Sequence, residues 1–326
     1  VSATRSPDDL DAYLKGRSKA ELRKIVLEIV KNHPQIELEL LSNPRISQPS
    51  AERLAQMLSR EIDQVSRESA WSSHWSDDEQ IPDYSGVRNG LQTLFNTGHF
   101  DEIIHLGKKL FSKGTAQINQ SNDEGETIDE ISQTLEIVFK ALKHSSLTNI
   151  EKMEQAIKWE LADEFDLTDS LTSFWKTPFD AKEWSAVADR LLKQLGEIPP
   201  AKEEEDFHYR YTRDKLTDHI IRALEKAGRG EEILALCIKE APLTQSYTRL
   251  VRLLRKLNKD ELAEEWIRKG IRATRDRSPG IAADLVQQML EIRKAKQDWP
   301  FCAAIVAAGF FESHKMETYT ELKHYC

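Results

Sequence analysis

At 326 residues the chain has room for one large domain, two ordinary ones or an extended repeat array. Apolar residues make up 39% and charged residues 31%, while Gly (13) and Pro (11) together are about 7% of the chain, against a usual share of about 12%. Few chain breakers beside many Leu, Ala, Glu and Lys exclude a β-sandwich or barrel, which need a turn every 8–12 residues or so, and also exclude a Pro/Gly-rich disordered chain. The net charge of −9 is uneven: residues 208–326 carry 22 Lys and Arg against 17 Asp and Glu, leaving 24 basic and 38 acidic side chains in residues 1–207. An acidic front and a mildly basic back suggest two surfaces with different partners.

Helical signals follow one another along the chain. Ser6-Pro7-Asp8-Asp9 places a cap, an N1 proline and acids ahead of Leu10, Tyr13 and Leu14. Ser18 to Glu21 is a capping box opening a helix with Leu22, Ile25, Val26 and Ile29 on one face. Pro34 ends it. Residues 35–41 alternate Ile36, Leu38 and Leu40, and without a pairing partner they read as a short helix. Residues 50–68 form an amphipathic helix on Leu54, Met57, Leu58, Ile62 and Val65. The stretch 69–83, with Ser, Asp and Pro around Trp71 and Trp75, reads as a linker, so residues 1–68 are expected to be an N-terminal helical subdomain. Helices are predicted at about 84–97, 100–113, 126–145, 148–165 and 180–195, with a polar loop over 114–125. The segment 196–206, GEIPPAKEEED, is an acidic, Pro-containing linker. Further helices are predicted at 207–227, 230–240, 244–257, 259–275, 279–296, 299–311 and from Lys315 onwards.

Three segments superimpose when written under one another, starting at Leu91, Ile221 and Val251. Leu94, Leu224 and Leu254 correspond, as do Gly98, Gly228 and Asn258. Asp101, Glu231 and Glu261 follow, then Ile103, Ile233 and Ala263, then Leu106, Leu236 and Trp266. A fainter fourth copy puts Met289, Ile292, Lys296 and Phe301 at matching places. The unit is a helix ending at a residue that tolerates a left-handed cap, then a helix with an acid in its first turn, where the macrodipole favours negative charge. Such hairpins must stack to bury their faces. The fold class expected is therefore all-α: an α-solenoid of stacked, tetratricopeptide-like hairpins over 84–326, with about 15 helices in the whole chain.

The chain resembles the large C-terminal helical region of bacterial SWIM zinc-finger proteins. The likeness is carried by Leu10 to Leu14 with the helix to His33-Pro34, Asp83-Tyr84, Gly98 to Leu106, Leu236 to Pro242, and above all Tyr247 to Gly280 with Ala263-Glu264-Glu265-Trp266 and Gly270 to Thr274. Asp298-Trp299, Phe310-Phe311 and Glu317 to Tyr319 continue it. In that family zinc is held by a CxC…CxH motif N-terminal to this region. This chain contains no such motif, so the resemblance carries zinc to no residue here. It implies an interaction region of a larger protein, since SWIM modules are thought to bind DNA or proteins.

Chemistry-bearing patterns are few. No GxxxxGK[ST], GxGxxG, HExxH or GxSxG occurs, so neither an enzyme nor a bound cofactor is expected. Cys237, Cys302 and Cys326 are far apart, which fits a reducing cytosol and provides no metal site. No apolar run approaches the ~20 residues of a membrane span, and a cytoplasmic protein without a membrane partner is expected. The missing initiator Met and the helical pattern at Tyr325-Cys326 suggest a piece of a longer chain. The acids Asp163, Glu164, Asp166 and Asp169, with Asp77, Asp78 and Glu79, match no metal loop and read as structural or solvated. His99, His105, His208 and His219 read as core or surface histidines. Trp71 and Trp75 are a candidate partner loop. Residues 245–296 hold 13 Lys and Arg against 7 Asp and Glu, and Arg249, Arg252, Arg255, Arg268 and Arg272 can form a basic stripe facing an anionic ligand. Against that, Asp260, Glu264 and Glu265 interleave, and aromatic residues for base stacking are thin. The leading expectation is a non-enzymatic scaffold that binds a protein partner. The alternative is an accessory surface for DNA or RNA.

Overall fold

The computed structural model describes residues 13–15, 17–33, 36, 50–68, 70–71, 80–199, 207–314 and 316–325. Fourteen α-helices and one 3-10 helix lie among them, and the described residues contain no β-strand beyond isolated bridges at Trp71. In chain order the helices are α1 (Lys19–Asn32), α2 (Ala51–Val65), α3 (Ser85–Asn96), α4 (Phe100–Ile118), α5 (Glu126–His144), α6 (Asn149–Ala162), the 3-10 helix (Asp169–Lys176), α7 (Ala181–Glu197), α8 (Phe207–Lys226), α9 (Gly230–Thr244), α10 (Tyr247–Lys256), α11 (Asp260–Thr274), α12 (Pro279–Ala295), α13 (Trp299–Ser313) and α14 (Met316–Tyr325). The starts of α1, α6 and α7 are fixed by complete capping boxes at Ser18/Glu21, Thr148/Glu151 and Asp180/Glu183. The expected short helix over 35–41 falls almost wholly outside the described residues.

The chain divides into two compact units, Val1–Pro178 and Phe179–Cys326. This corrects the expected boundary at 69–83. Helix α2 packs on α3 and α4, burying Leu54, Leu58, Ile62 and Val65. Lys109 Nζ reaches back from α4 to Ser59 O (2.7 Å) and Asp63 Oδ2 (2.6 Å). The described ends of the expected linker are tied down: Trp71 and Gln80 exchange backbone hydrogen bonds of 3.1 and 3.0 Å, and Asn122 N donates to Ala70 O. The polar segment 114–125 is also helical to Ile118, because packing overrides its composition. Gly114 lets Ile131 of α5 approach to 3.0 Å of where a Cβ would sit. Buried Gln117 donates to Val65 O (2.8 Å) and Glu68 O (2.9 Å) and accepts from the Tyr84 hydroxyl (2.6 Å).

In the second unit the principal contacts run between helices adjacent in the chain, from α7 to α14, with α10 also touching α12. The repeat has a single turn geometry. Gly98, Gly228, Asn258 and Gln297 all have positive φ, from 55° to 82°. In each case the next residue's N–H donates to the carbonyl five positions back: His99 to Leu94, Arg229 to Leu224, Lys259 to Leu254 and Asp298 to Arg293. This is the Schellman closure. It shifts the fourth copy by one residue from the alignment expected, so that Gln297 and not Lys296 is the turn residue and Leu290, Cys302 and Val306 are buried in its core. Nothing lies within 4 Å of a Cβ added at Gly228, so glycine there answers to backbone conformation alone. Gly228→Ala is expected to lower the unfolding free energy by about 1 kcal/mol, the cost of an L-residue in this region, and Gln297→Gly to raise it by up to about 1 kcal/mol. Urea midpoints of the two variants should move in opposite directions.

Candidate functional surface

The five arginines singled out in the sequence lie on α10 and α11, and the structure does not bring them together as a free basic stripe. Arg249 points to α8, where its guanidinium nitrogens lie 2.9 Å from Asp214 and 2.9 Å from Asp218. Arg255 points to α12 and pairs with Glu291 at 2.6 Å. Arg252, 69% exposed, is 3.8 Å from Asp284 of α12. Thr248 Oγ1 donates to that same carboxylate at 2.7 Å, as does Gln288 Nε2 at 3.1 Å. Helix α10 is thus tied to α8 on one side and to α12 on the other. These are the first helices of three successive hairpins, and the pairs act between repeats. The ion-paired groups on these three helices are three arginines and four carboxylates.

On α11, Arg268 pairs with Glu264 at 3.1 Å, and Arg272 Nε donates to the Arg268 carbonyl. Glu264 is buried beneath three cations: Arg268, Arg293 and Lys296, the last at 2.9 Å. Burial pushes its carboxyl upward, but Lys296 and Arg293 outweigh that and hold it below the usual carboxylate range. The sequence shows Glu264 as one of several interleaved acids. Only the hairpin packing reveals it as the hub joining α11 to α12.

A second buried pair joins α8 and α9. Arg213 Nε donates to Glu240 Oε2 at 2.5 Å and its NH2 to Oε1 at 2.9 Å, a two-pronged bond with both side chains almost fully buried. Arg213 also reaches Leu195 O of α7. Sequence reasoning missed this pair. Its one signal is that Glu240 occupies a place where the aligned copies have Leu110 and Gly270, both buried.

The remaining candidates resolve individually. Trp71 is exposed and paired through its backbone with Gln80, and Trp75 lies outside the described residues. Asp163 is a structural carboxylate that accepts from the backbone N–H of Phe165, Leu167 and Thr168 and so shapes the turn after α6. His99 stands at the start of α4, 3.9 Å from Glu102. Burial, with Arg222 and Lys215 nearby, holds His219 down to about 4. Cys237 and Cys302 are buried free thiols, and burial pushes Cys237 up to about 11. Cys326 lies outside the described residues. Among those residues no three of His, Cys, Asp or Glu form a ligand set for a metal ion, and no helix is long and apolar enough to cross a membrane. Comparison with protein-family models, curated proteins and solved structures gives no significant match.

Proposed function

We propose that this chain is a non-enzymatic, cytoplasmic scaffold whose hairpins stack as an α-solenoid to hold a protein partner, within a larger protein of SWIM type. The observation that supports a protein over a nucleic acid is the interleaving of charge on the face shared by α8, α10 and α12. Arg249, Arg252 and Arg255 alternate there with Asp214, Asp218, Asp284 and Glu291. A polyanion gains affinity by releasing counterions at each neutralised phosphate, and arginines already facing carboxylates offer less of that gain. A protein surface with its own alternating charges suits it, because complementary potentials select and orient partners.

The high exposure of Arg252 favours the nucleic-acid reading, and a mobility-shift assay separates the two. The full chain is expected to leave duplex DNA and single-stranded RNA unretarded at low salt, and to capture a protein from lysate in a manner lost in Arg252→Glu/Arg255→Glu. That double change is expected to cost at most about 1 kcal/mol per exposed pair removed. A salt-sensitive shift at physiological ionic strength, abolished by the same double change, overturns the scaffold reading.

A further inference from the structure

Arginines elsewhere in the chain are paired, as Arg88 is with Glu130 at 2.7 Å, and Arg229 with Asp189 and Glu232 at 2.6 Å each. The place where α2 meets α4 departs from this. Arg60 of α2 and Arg67, in the turn just beyond it, are exposed and line a shallow groove of about 510 Å³ with Asp63, Gln64 and Glu68. Seven residues are close to two helical turns, so the two arginines stand about 10 Å apart along α2 and on nearly the same side. Arg67 keeps that line because its N–H donates to Gln64 O at 3.1 Å in the closing turn. Lys109 and Lys113, one turn apart on α4, flank Asp63.

Asp63 does not neutralise this group. Lys109 donates to its Oδ2 at 2.6 Å and to Ser59 O at 2.7 Å. That bond, with the charges of Lys109, Lys113 and Arg67 nearby, holds the Asp63 carboxyl below the usual carboxylate range. One carboxylate thus serves several cations, and among the described residues Arg60, Arg67 and Lys113 form no ion pair of their own. The second acid of the groove is Glu68, whose carboxyl is pushed upward by burial and by Asp83 beside it. Four cations against two acids leave the groove net positive, within residues 1–207, where 38 acids outnumber 24 bases. Acids are plentiful in this part of the chain, yet none closes on these three cations.

We infer that the α2–α4 groove binds an acidic peptide segment of a partner protein, whose carboxylates pair with Arg60, Arg67 and Lys113. Spacing and composition favour a peptide over a nucleic-acid strand. A guanidinium takes a carboxylate through two parallel hydrogen bonds. In a polyproline-II segment, residues three apart fall on one side at about 9 Å, close to the separation of Arg60 and Arg67. Asp63 and Glu68 interrupt the cations. A peptide can set uncharged residues opposite them, whereas a phosphodiester strand carries charge at every nucleotide. Gln64, exposed between the two arginines, has an amide suited to the peptide backbone. This groove belongs to the first unit, so the inference does not depend on the α8–α10–α12 face.

Fluorescence polarisation with the 326-residue chain tests it, the probes being a labelled peptide of Glu-Pro-Pro repeats, its Gln-Pro-Pro counterpart and an oligo-dT strand of matched charge. At about 0.05 M salt the Glu peptide is expected to bind at least about tenfold more tightly than the Gln peptide, and to weaken toward about 0.15 M as exposed pairs are screened. Arg60→Gln/Arg67→Gln is expected to weaken it at least about tenfold, with the thermal midpoint unchanged because both side chains are exposed. Asp63→Asn removes an acid and releases Lys109, and is expected to tighten binding several-fold, the reverse of what losing a merely structural contact would do. Glu and Gln peptides that bind alike up to about 1 mM overturn the inference. So does binding indifferent to Arg60→Gln/Arg67→Gln, weakened by Asp63→Asn, or lost equally in Arg252→Glu/Arg255→Glu. Oligo-dT binding more tightly than the Glu peptide overturns it in favour of a nucleic-acid strand.

Discussion

Leu254→Ala is expected to lower the unfolding free energy by about 2–5 kcal/mol. Leu254 is fully buried, and its carbonyl accepts the Lys259 N–H that closes the α10–α11 turn. Truncating it removes side-chain contacts at the place where two helices diverge, and the backbone there is held by the turn and cannot collapse inward. Leu94 and Leu224, at the same station of their own hairpins, are equally buried, and their alanine variants should fall in the same range. Trp266→Ala provides the contrast. The alignment places Trp266 with buried Leu106 and Leu236, but Trp266 is only half-buried, lying under Lys269 at 4.2 Å, and it is Ile267 beside it that is fully covered. Ile267→Ala is therefore expected to cost more than Trp266→Ala, despite deleting the smaller side chain. Urea titration of the five variants checks the order.

The Trp266 case shows where sequence periodicity stops. The positions the alignment makes most conspicuous are large apolar ones. The inward line of the second helices also runs through Ile103, Gly107, Leu110 and Gly114 in α4, and in α11 it passes through Ala263, Ile267, Gly270 and Thr274, all buried, and leaves Trp266 aside. Five of these eight are small or polar and make little hydrophobic signal. They are small because the neighbouring helix comes close: a Cβ on Gly270 would lie 2.6 Å from Leu285 and 2.9 Å from Tyr247. Helix starts were legible because capping is local, as at Thr148 and Asp180. The end of α4 was not, because Gln117 is held by partners 33 to 52 residues away. The 3-10 helix at Asp169–Lys176 has no periodicity of its own and depends on Asp163 for its entry. The helix α9 passes through Pro242 to Thr244, beyond the expected end at 240. The candidate arginines were legible as cations but not as ion-paired ones, since Asp214, Asp284 and Glu291 lie 32 to 36 positions away in sequence.

Breaking the Arg213–Glu240 pair on one side is expected to cost about 3–5 kcal/mol, and replacing both partners by apolar residues far less. Glu240→Leu leaves the Arg213 guanidinium buried between α8 and α9, with the Leu195 carbonyl at 3.4 Å and the Tyr209 ring nearby in place of two strong bonds to a counterion. A buried charge without its counterion carries its full desolvation cost, whereas a well-packed apolar pair of similar volume carries none. Arg213→Met/Glu240→Leu should therefore recover most of the loss, giving a coupling energy of opposite sign to the single effects and about as large. The aligned copies support that expectation, since Leu110 fills the Glu240 station in α4 and is fully buried without any charge. Stability alone thus does not require the ion pair. Its two-pronged geometry fixes how α8 turns against α9, whereas an apolar pair tolerates rotation and slippage. The double variant should fold with near wild-type stability but with faster amide exchange along Phe207–Lys226 and Gly230–Thr244. A double variant as unstable as Glu240→Leu would instead make the pair a net source of stability.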